Sequence, residues 1–114
     1  MPHTIVHASD IEPLHGVFRP LRGALGVTAF GINELELGPD AEGPEHDHAG
    51  DGQEEVYVII RGSGTIRVDG EDHELKPGAY VALTPDTRRK MIAGPDGLAW
   101  IGVGCKPGSY TSER

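Results

Sequence analysis

Two histidines with one residue between them, His46 and His48, precede two adjacent glutamates, Glu54 and Glu55, by a short loop. On an extended segment, residues two apart leave the same face, about 6.6 Å apart along the chain. Imidazole is a common ligand of divalent transition metals, and a carboxylate from a neighbouring strand supplies an anionic third ligand. The pattern indicates a metal site; a solvated polar loop leading into a strand is the alternative.

The segment after the glutamates has the composition of a buried strand. Residues 56–60 are an unbroken apolar run, rich in β-branched side chains and too short for a secure helix. Strand alternation predicts that Glu55, Tyr57 and Ile59 face inward. The residues predicted to face outward are Glu54, Val56, Val58 and Ile60.

The rest of the chain reads as short strands joined by turns. Its 17 glycines and 9 prolines favour turns over long helices. Gly62-Ser63-Gly64 permits a turn or bulge, and Asp69-Gly70 predicts a hairpin with a two-residue turn. Strand signals recur every eight to twelve residues or so, as in a small sandwich or barrel. One short helical turn is predicted at Ser9–Glu12, which resembles a capping box.

The stretch from His46 resembles the first motif of the cupin superfamily, with His46-Asp47-His48, Glu55 and Gly62 in the motif positions. The segment "GSGTIRVDGEDHELKPGAY" resembles the hairpin and PG turn that lead into the second motif, so the likeness covers roughly residues 37–103. The resemblance implies an all-β fold, a small double-stranded β-helix or jelly-roll barrel. It also implies that His46, His48 and Glu55 bind a divalent Fe, Mn, Ni, Zn or Cu ion.

The first departure from the family pattern is the length of the loop before the glutamate. Six residues separate His48 from Glu55, where three or four are usual. The loop 49–52 must therefore bulge, which its two glycines allow. Glu54 stays an alternative ligand to Glu55.

The second departure is Arg89, which stands where the second motif normally supplies a histidine ligand. Guanidinium stays protonated and has no lone pair for a metal. Alternation places Arg89 inward, with Arg88 and Lys90 outward. Arg89 could bind a ligand carboxylate or phosphate beside the ion. Alternatively it could pair with Glu55 in place of the metal, leaving a metal-free module that binds or senses a small ligand.

The expected partner is a small, anionic molecule, to which Tyr57 could also donate its hydroxyl. The sequence does not decide whether the protein is an enzyme, because fold alone does not select a reaction. If it is one, the resemblance implies a metal-dependent oxidoreductase of the dioxygenase type or an isomerase. The reaction and the substrate are left open at this point.

Charge and composition bear on location and on other partners. The net charge of −8 and the pI near 5.1 argue against nucleic acid, since phosphate contacts need clustered Lys and Arg. No run approaches the roughly 20 apolar residues that span a bilayer, so no membrane partner is expected. The single cysteine, Cys105, cannot form an internal disulfide, and a cytoplasmic location is predicted.

The chain is predicted to form one domain in three parts. An N-terminal segment, 1–25, packs on a barrel formed by 26–106, and a polar tail follows at 107–114. The outward apolar row of Val56, Val58 and Ile60 would be a liability on a small monomer. It predicts a homodimer.

Overall fold

The computed structural model describes residues 2–112, which form six strands and two short helical segments. The strands are β1 (Phe18–Pro20), β2 (Gly31–Leu37), β3 (Glu54–Val68), β4 (Glu71–Leu75), β5 (Tyr80–Leu83) and β6 (Arg89–Cys105). A 3-10 turn covers Ala8–Asp10, and helix α1 covers Arg22–Leu25. The predicted all-β class and the N-terminal helical turn are confirmed. Within residues 2–112, neither helical segment has the length or apolar content to cross a membrane.

Two long antiparallel strands, β3 and β6, are the centre of the sheet. They pair from Glu54 opposite Cys105 to Val68 opposite Arg89. The strand order is β1-β2-β6-β3-β4, with β5 also paired to β3. The first half of β3 lies between β5 and β6, and its second half lies between β4 and β6. The two halves of β3 therefore belong to parts of the sheet that surround the same interior.

The bend in β3 comes from its glycines. The register with β6 shifts between Ile59 and Arg61 and again between Gly62 and Gly64, so the predicted bulge is present. Gly62 has φ 77°, and a Cβ there would collide with the backbone of Gly97. Only glycine allows this conformation and approach together. β3 thus bends at this point and continues as one strand.

The predicted hairpin is also confirmed. Val68 pairs with Glu71 across Asp69 and Gly70, which have φ 50° and 84°. Two positive φ values define the turn whose twist suits neighbouring strands. This hairpin fixes the register in which β4 follows β3.

The inward row of β3 is as alternation predicted. Tyr57 and Ile59 are buried, whereas Val56 keeps 36% of its surface exposed. The buried apolar residues form one core between the walls. Its members are Leu37, Tyr57, Ile59, Ile66, Leu75, Leu83, Met91, Ala93, Leu98 and Trp100. The site described below opens from this core.

The N-terminal part differs in detail from the prediction. The 3-10 turn has His7 as its N-cap, with no side-chain capping bond, so no capping box forms at Ser9. Helix α1 was not predicted from the sequence. Strand β1 was not predicted either, and it joins the sheet by pairing with β2. The three-part division of the chain stays a prediction.

Candidate metal centre

His46 lies directly opposite Arg89 on β6. The amide of each residue donates to the carbonyl oxygen of the other at 2.9 Å. Opposed residues in such a pair project to the same face of a sheet. His46 is therefore fixed to the inner face by backbone bonds, although it lies outside any named strand.

His48 is held by the loop that follows it. Its Nδ1 donates to the carboxylate of Asp51, at 3.1 Å to Oδ1 and 3.0 Å to Oδ2. Asp51 also accepts from the amide of Gln53, and Gly52 turns the loop with φ 68°. The hydrogen bond from His48 lowers the pKa of Asp51. The longer loop therefore supplies an anionic support for one of the imidazoles.

Both imidazoles direct Nδ1 towards an atom that can only accept. Nδ1 of His46 lies 3.3 Å from the carbonyl oxygen of Pro44, and the partner of His48 is the carboxylate of Asp51. Nδ1 must then carry the proton in each ring, so Nε2 of the neutral ring keeps its lone pair. Histidines that bind a metal have this arrangement, with the second nitrogen donating to an oxygen.

Glu55, rather than Glu54, completes the cluster. One ligand atom each from His46, His48 and Glu55 lie within 4.8 Å of one another, and Glu54 is exposed. Nε2 of His48 is 3.1 Å from Oε1 of Glu55. A nitrogen lone pair and a carboxylate repel at this distance unless a proton or a cation bound to the same two groups offsets the repulsion. The three predicted ligands are thus brought together in a form that suits a cation.

Arg89 is fully buried and faces inward, as alternation predicted, while its neighbour Arg88 is exposed. Nη2 of Arg89 donates to Oε1 of Glu55 at 2.8 Å, and Nη1 donates to the carbonyl oxygen of Thr87 at 2.6 Å. Its Nε has no partner among residues 2–112. Of the two interpretations of Arg89, the ion pair with Glu55 is formed. A direct bond to a ligand stays a prediction.

Tyr57 lies beside the same carboxylate. Its hydroxyl donates to Oε1 of Glu55 at 3.2 Å. Burial, together with the negative charge of Glu55, raises the pKa of Tyr57 to about 12. The contacts of Glu55 with Arg89, Tyr57 and His48 all use Oε1, and Oε2 takes part in none of them. One oxygen is thereby anchored to protein and the other is left for an ion.

A cavity of about 320 Å³ opens in front of the cluster. His46, His48, Glu55 and Tyr57 are among its lining residues. The other lining residues are Val17, Phe18, Asn33, Leu35, Leu37, Gly43, Pro44, Met91, Trp100 and Gly102. Arg89 is not among the lining residues that the structure describes. A mostly apolar pocket with a few convergent polar groups is the usual form of a small-molecule site.

The donor set fits a divalent transition metal. Two neutral imidazoles and one carboxylate match the preferences of iron, manganese, nickel, zinc and copper. Arg89 weakens the fit, because Glu55 already balances the charge of a guanidinium 2.8 Å away. Three protein ligands leave positions for water or substrate.

Several contributors to the site were not found from the sequence. Asp51 and Pro44 orient the imidazoles through a loop whose conformation the pattern did not specify. Val17 and Phe18 line the cavity from the N-terminal segment, for which the sequence predicts only packing on the barrel. The acidic "HAGDG" context of Asp51 was a usable signal, because a carboxylate three residues from a histidine can reach Nδ1.

Comparison with known proteins agrees with the fold. A family model described as a cupin domain matches residues 33–101. A dimethylsulfoniopropionate lyase, DddW, from Ruegeria pomeroyi is 33% identical over 111 residues, covering 86% of this chain and 70% of the relative.

Solved structures give the same fold. A cupin protein from Bacteroides fragilis superposes with a TM-score of 0.85 at 25% identity, covering 100% of this chain and 92% of the other. A sugar phosphate isomerase of the cupin superfamily from Silicibacter pomeroyi superposes with a TM-score of 0.67 at 21% identity. The match covers 78% of this chain and 58% of the isomerase, and at this identity it supports the fold alone.

Proposed function

Since the chain belongs to the cupin family, we propose that it is a metal-dependent enzyme that acts on a small carboxylate. His46, His48 and Glu55 would hold one divalent transition ion. The observation that carries the proposal is the state of the two imidazoles: each Nδ1 is committed to an acceptor, which leaves Nε2 for the ion. An ion at this position supplies a Lewis acid that binds and polarises a carboxylate oxygen.

The charges around the cluster favour an anion only when the ion is bound. Asp51 and Glu55 are each negative, and Arg89 is positive, so the metal-free cluster has one negative charge in excess. A divalent ion converts this to one positive charge in excess. The metal-free alternative would therefore repel the anionic ligands that Arg89 was expected to attract. This supports the metal-bound form as the one that binds a carboxylate.

The chain's own residues would position that ligand. Tyr57 stays protonated at neutral pH and borders the cavity, so its hydroxyl can donate to a ligand oxygen by exchanging its hydrogen bond to Glu55 for one to the ligand. Arg89 holds Glu55 from behind through Oε1 and keeps the carboxylate in one orientation. The apolar walls, including Leu35 and Met91, exclude water from the body of the ligand.

The similarity to a lyase makes an elimination the first reaction to test. The relative's substrate, dimethylsulfoniopropionate, carries a carboxylate on a short chain, which suits the size of the cavity. The dioxygenase and isomerase reactions expected from the resemblance are not supported by a relative of comparable identity. They are the second set of reactions to assay.

The test is metal-dependent ligand binding and turnover. The protein is loaded with Mn²⁺, Ni²⁺ or Zn²⁺, mixed with short carboxylates including dimethylsulfoniopropionate, and followed by calorimetry and by NMR of substrate loss. Glu55→Gln should lose metal and ligand binding together, whereas Glu54→Gln, one residue away and exposed, should keep both. Carboxylate binding that survives chelation would contradict the proposal.

We further propose that two copies pair through the outer face of the sheet, which is apolar and contains the exposed Val56 and Tyr80. Its other members, from β3, β5 and β6, are Val58, Ala82, Ile101 and Val103. Burying this face in a symmetric dimer would remove it from water. A cytoplasmic location, inferred from cysteine usage, also stays a proposal.

A further inference from the structure

The lining of the cavity includes a buried donor that does not belong to the metal cluster. Trp100 is 4% exposed and lines the cavity, and its indole Nε1 has no hydrogen-bond partner among residues 2–112. A buried donor without an acceptor is unfavourable, because it has lost its hydrogen bond to water and gained none. Such donors are rare in folded proteins unless a ligand or a water molecule accepts their hydrogen bond.

The position of Trp100 along the sheet separates it from the metal cluster. Trp100 pairs with Ile59 on β3, four residues beyond Glu55. This corresponds to about 13 Å between the backbone positions along the strand. The side chain of Tyr57 lies in this interval, with its ring centroid 6.0 Å from that of Trp100. A short-chain molecule can span the remaining space within a cavity of about 320 Å³.

A second polar group lies on the same wall. Asn33 of β2 is opposite Gly102 of β6, and Gly102 is opposite Tyr57 of β3. Gly102 has no side chain, the ring of Tyr57 packs over it, and all three residues line the cavity. Asn33 is two residues from Leu35, the β2 partner of Trp100, so it lies on the same face of the sheet as Trp100.

We propose that Trp100 and Asn33 form a distal subsite for a hydrogen-bond acceptor, so that the ligand is a short carboxylate with a carbonyl or hydroxyl oxygen at its other end. The inference rests on the proposed function, because the carboxylate end is placed at the metal cluster. It goes beyond it by distinguishing this chain's ligand from dimethylsulfoniopropionate, whose distal group is a cation without an acceptor. Trp100 is a specificity-determining residue in this scheme.

Three probes with one skeleton test the subsite. 4-Oxopentanoate has a carbonyl oxygen at the distal position, 4-methylpentanoate has a methyl group there, and dimethylsulfoniopropionate has a methylsulfonium. Trp100 is the single tryptophan of the chain. Because Trp100→Phe removes that fluorophore, isothermal titration calorimetry of the Zn²⁺-loaded protein measures the dissociation constants of all three probes in the native protein and in the variants, and Zn²⁺ has no redox chemistry to interfere.

The oxo acid should bind about tenfold more tightly than 4-methylpentanoate, the value of one buried hydrogen bond. It should also bind more tightly than the sulfonium compound. Trp100→Phe keeps a ring in the wall and removes the N–H, so the oxo acid should lose its advantage while metal content is unchanged. Asn33→Leu is the second variant, with a similar but smaller loss, in case Trp100→Phe does not fold.

The subsite would be overturned if the native protein bound 4-oxopentanoate and 4-methylpentanoate equally. It would also be overturned if 4-oxopentanoate kept its tighter binding in both variants. Tighter binding of the sulfonium compound would assign the wall to a cation instead and would also overturn it. Metal binding without discrimination among the probes leaves the proposed function intact. If no metal binds, the proposed function fails and the subsite fails with it.

Discussion

Arg89 and Glu55 form a buried ion pair at the centre of the site, with Nη2 of Arg89 2.8 Å from Oε1 of Glu55 and the guanidinium fully shielded from solvent. Because the pair uses one oxygen of Glu55, the carboxylate can balance a guanidinium and still offer its other oxygen to an ion. The position that supplies a fourth ligand in the family pattern supplies a fixed cation here. We expect this replacement of a ligand by a cation to affect both the affinity for metal and the choice of small-molecule ligand.

Arg89→Met should lower the free energy of unfolding of the metal-free protein by roughly 3 to 5 kcal/mol, because it leaves the carboxylate of Glu55 buried without its partner. Added Zn²⁺ should recover part of the loss, since the ion replaces the missing positive charge. Urea unfolding with and without Zn²⁺ measures both effects. The double variant Glu55→Gln/Arg89→Met should show no such recovery; an equal gain from Zn²⁺ in both variants would mean that the ion binds elsewhere.

Asp51→Asn should weaken metal binding about 10- to 100-fold, because the carboxylate that orients His48 through Nδ1 is lost. Isothermal titration with Zn²⁺ gives the dissociation constant. Asp47→Asn is the matched control, since Asp47 lies in the same loop and accepts from the amide of Ala49 rather than from His48. Similar weakening in both variants would indicate a general effect of loop charge.

The raised pKa of Tyr57 predicts a loss of stability at high pH. The folded protein holds this proton to about pH 12, whereas the unfolded chain releases it near pH 10. The contribution of Tyr57 to the free energy of unfolding is therefore complete below pH 10 and is lost between pH 10 and 12. It amounts to roughly 2 to 3 kcal/mol. Chemical unfolding with a chelator present should show a steeper decline for the native protein than for Tyr57→Phe. Parallel curves would contradict the raised pKa.

The apolar outer face predicts that Val56→Lys gives a monomer, because a charge at its centre must be desolvated on pairing. Analytical ultracentrifugation of the native protein should show a dimer. Ile5→Lys places the same charge on an exposed apolar residue outside the sheet and should stay dimeric. A native protein that sediments as a monomer would reject the pairing.

Most of the barrel follows from local pattern. The inward row of Glu55, Tyr57 and Ile59 was predictable because alternation in a strand has a fixed period. The turn at Asp69-Gly70 was predictable because few sequences tolerate two positive φ values. Strand β1 was not predicted, because three residues are too few for a periodic signal and pairing with β2 is a tertiary effect.

The candidate ligands of the site were predictable from the sequence. The residues that orient them were less predictable. The spacing of His46, His48 and Glu55 marked the cluster, and alternation placed Arg89 inside. The partners of the histidines were not predictable, because Asp51 and Pro44 act through loop conformation, which has no period. The unpaired indole of Trp100 became visible only once three strands were assembled around the cavity.

The central claim is that His46 and His48, with Glu55, bind one divalent ion. It is tested most directly by counting metal atoms per chain in untagged protein equilibrated with Fe²⁺, Mn²⁺, Ni²⁺, Zn²⁺ or Cu²⁺ and then desalted. The native protein and the control His3→Ala/His73→Ala, which removes two exposed histidines, should each retain about one ion per chain. His46→Ala/His48→Ala should retain none. A native protein that retains no more metal than this last variant would contradict the account.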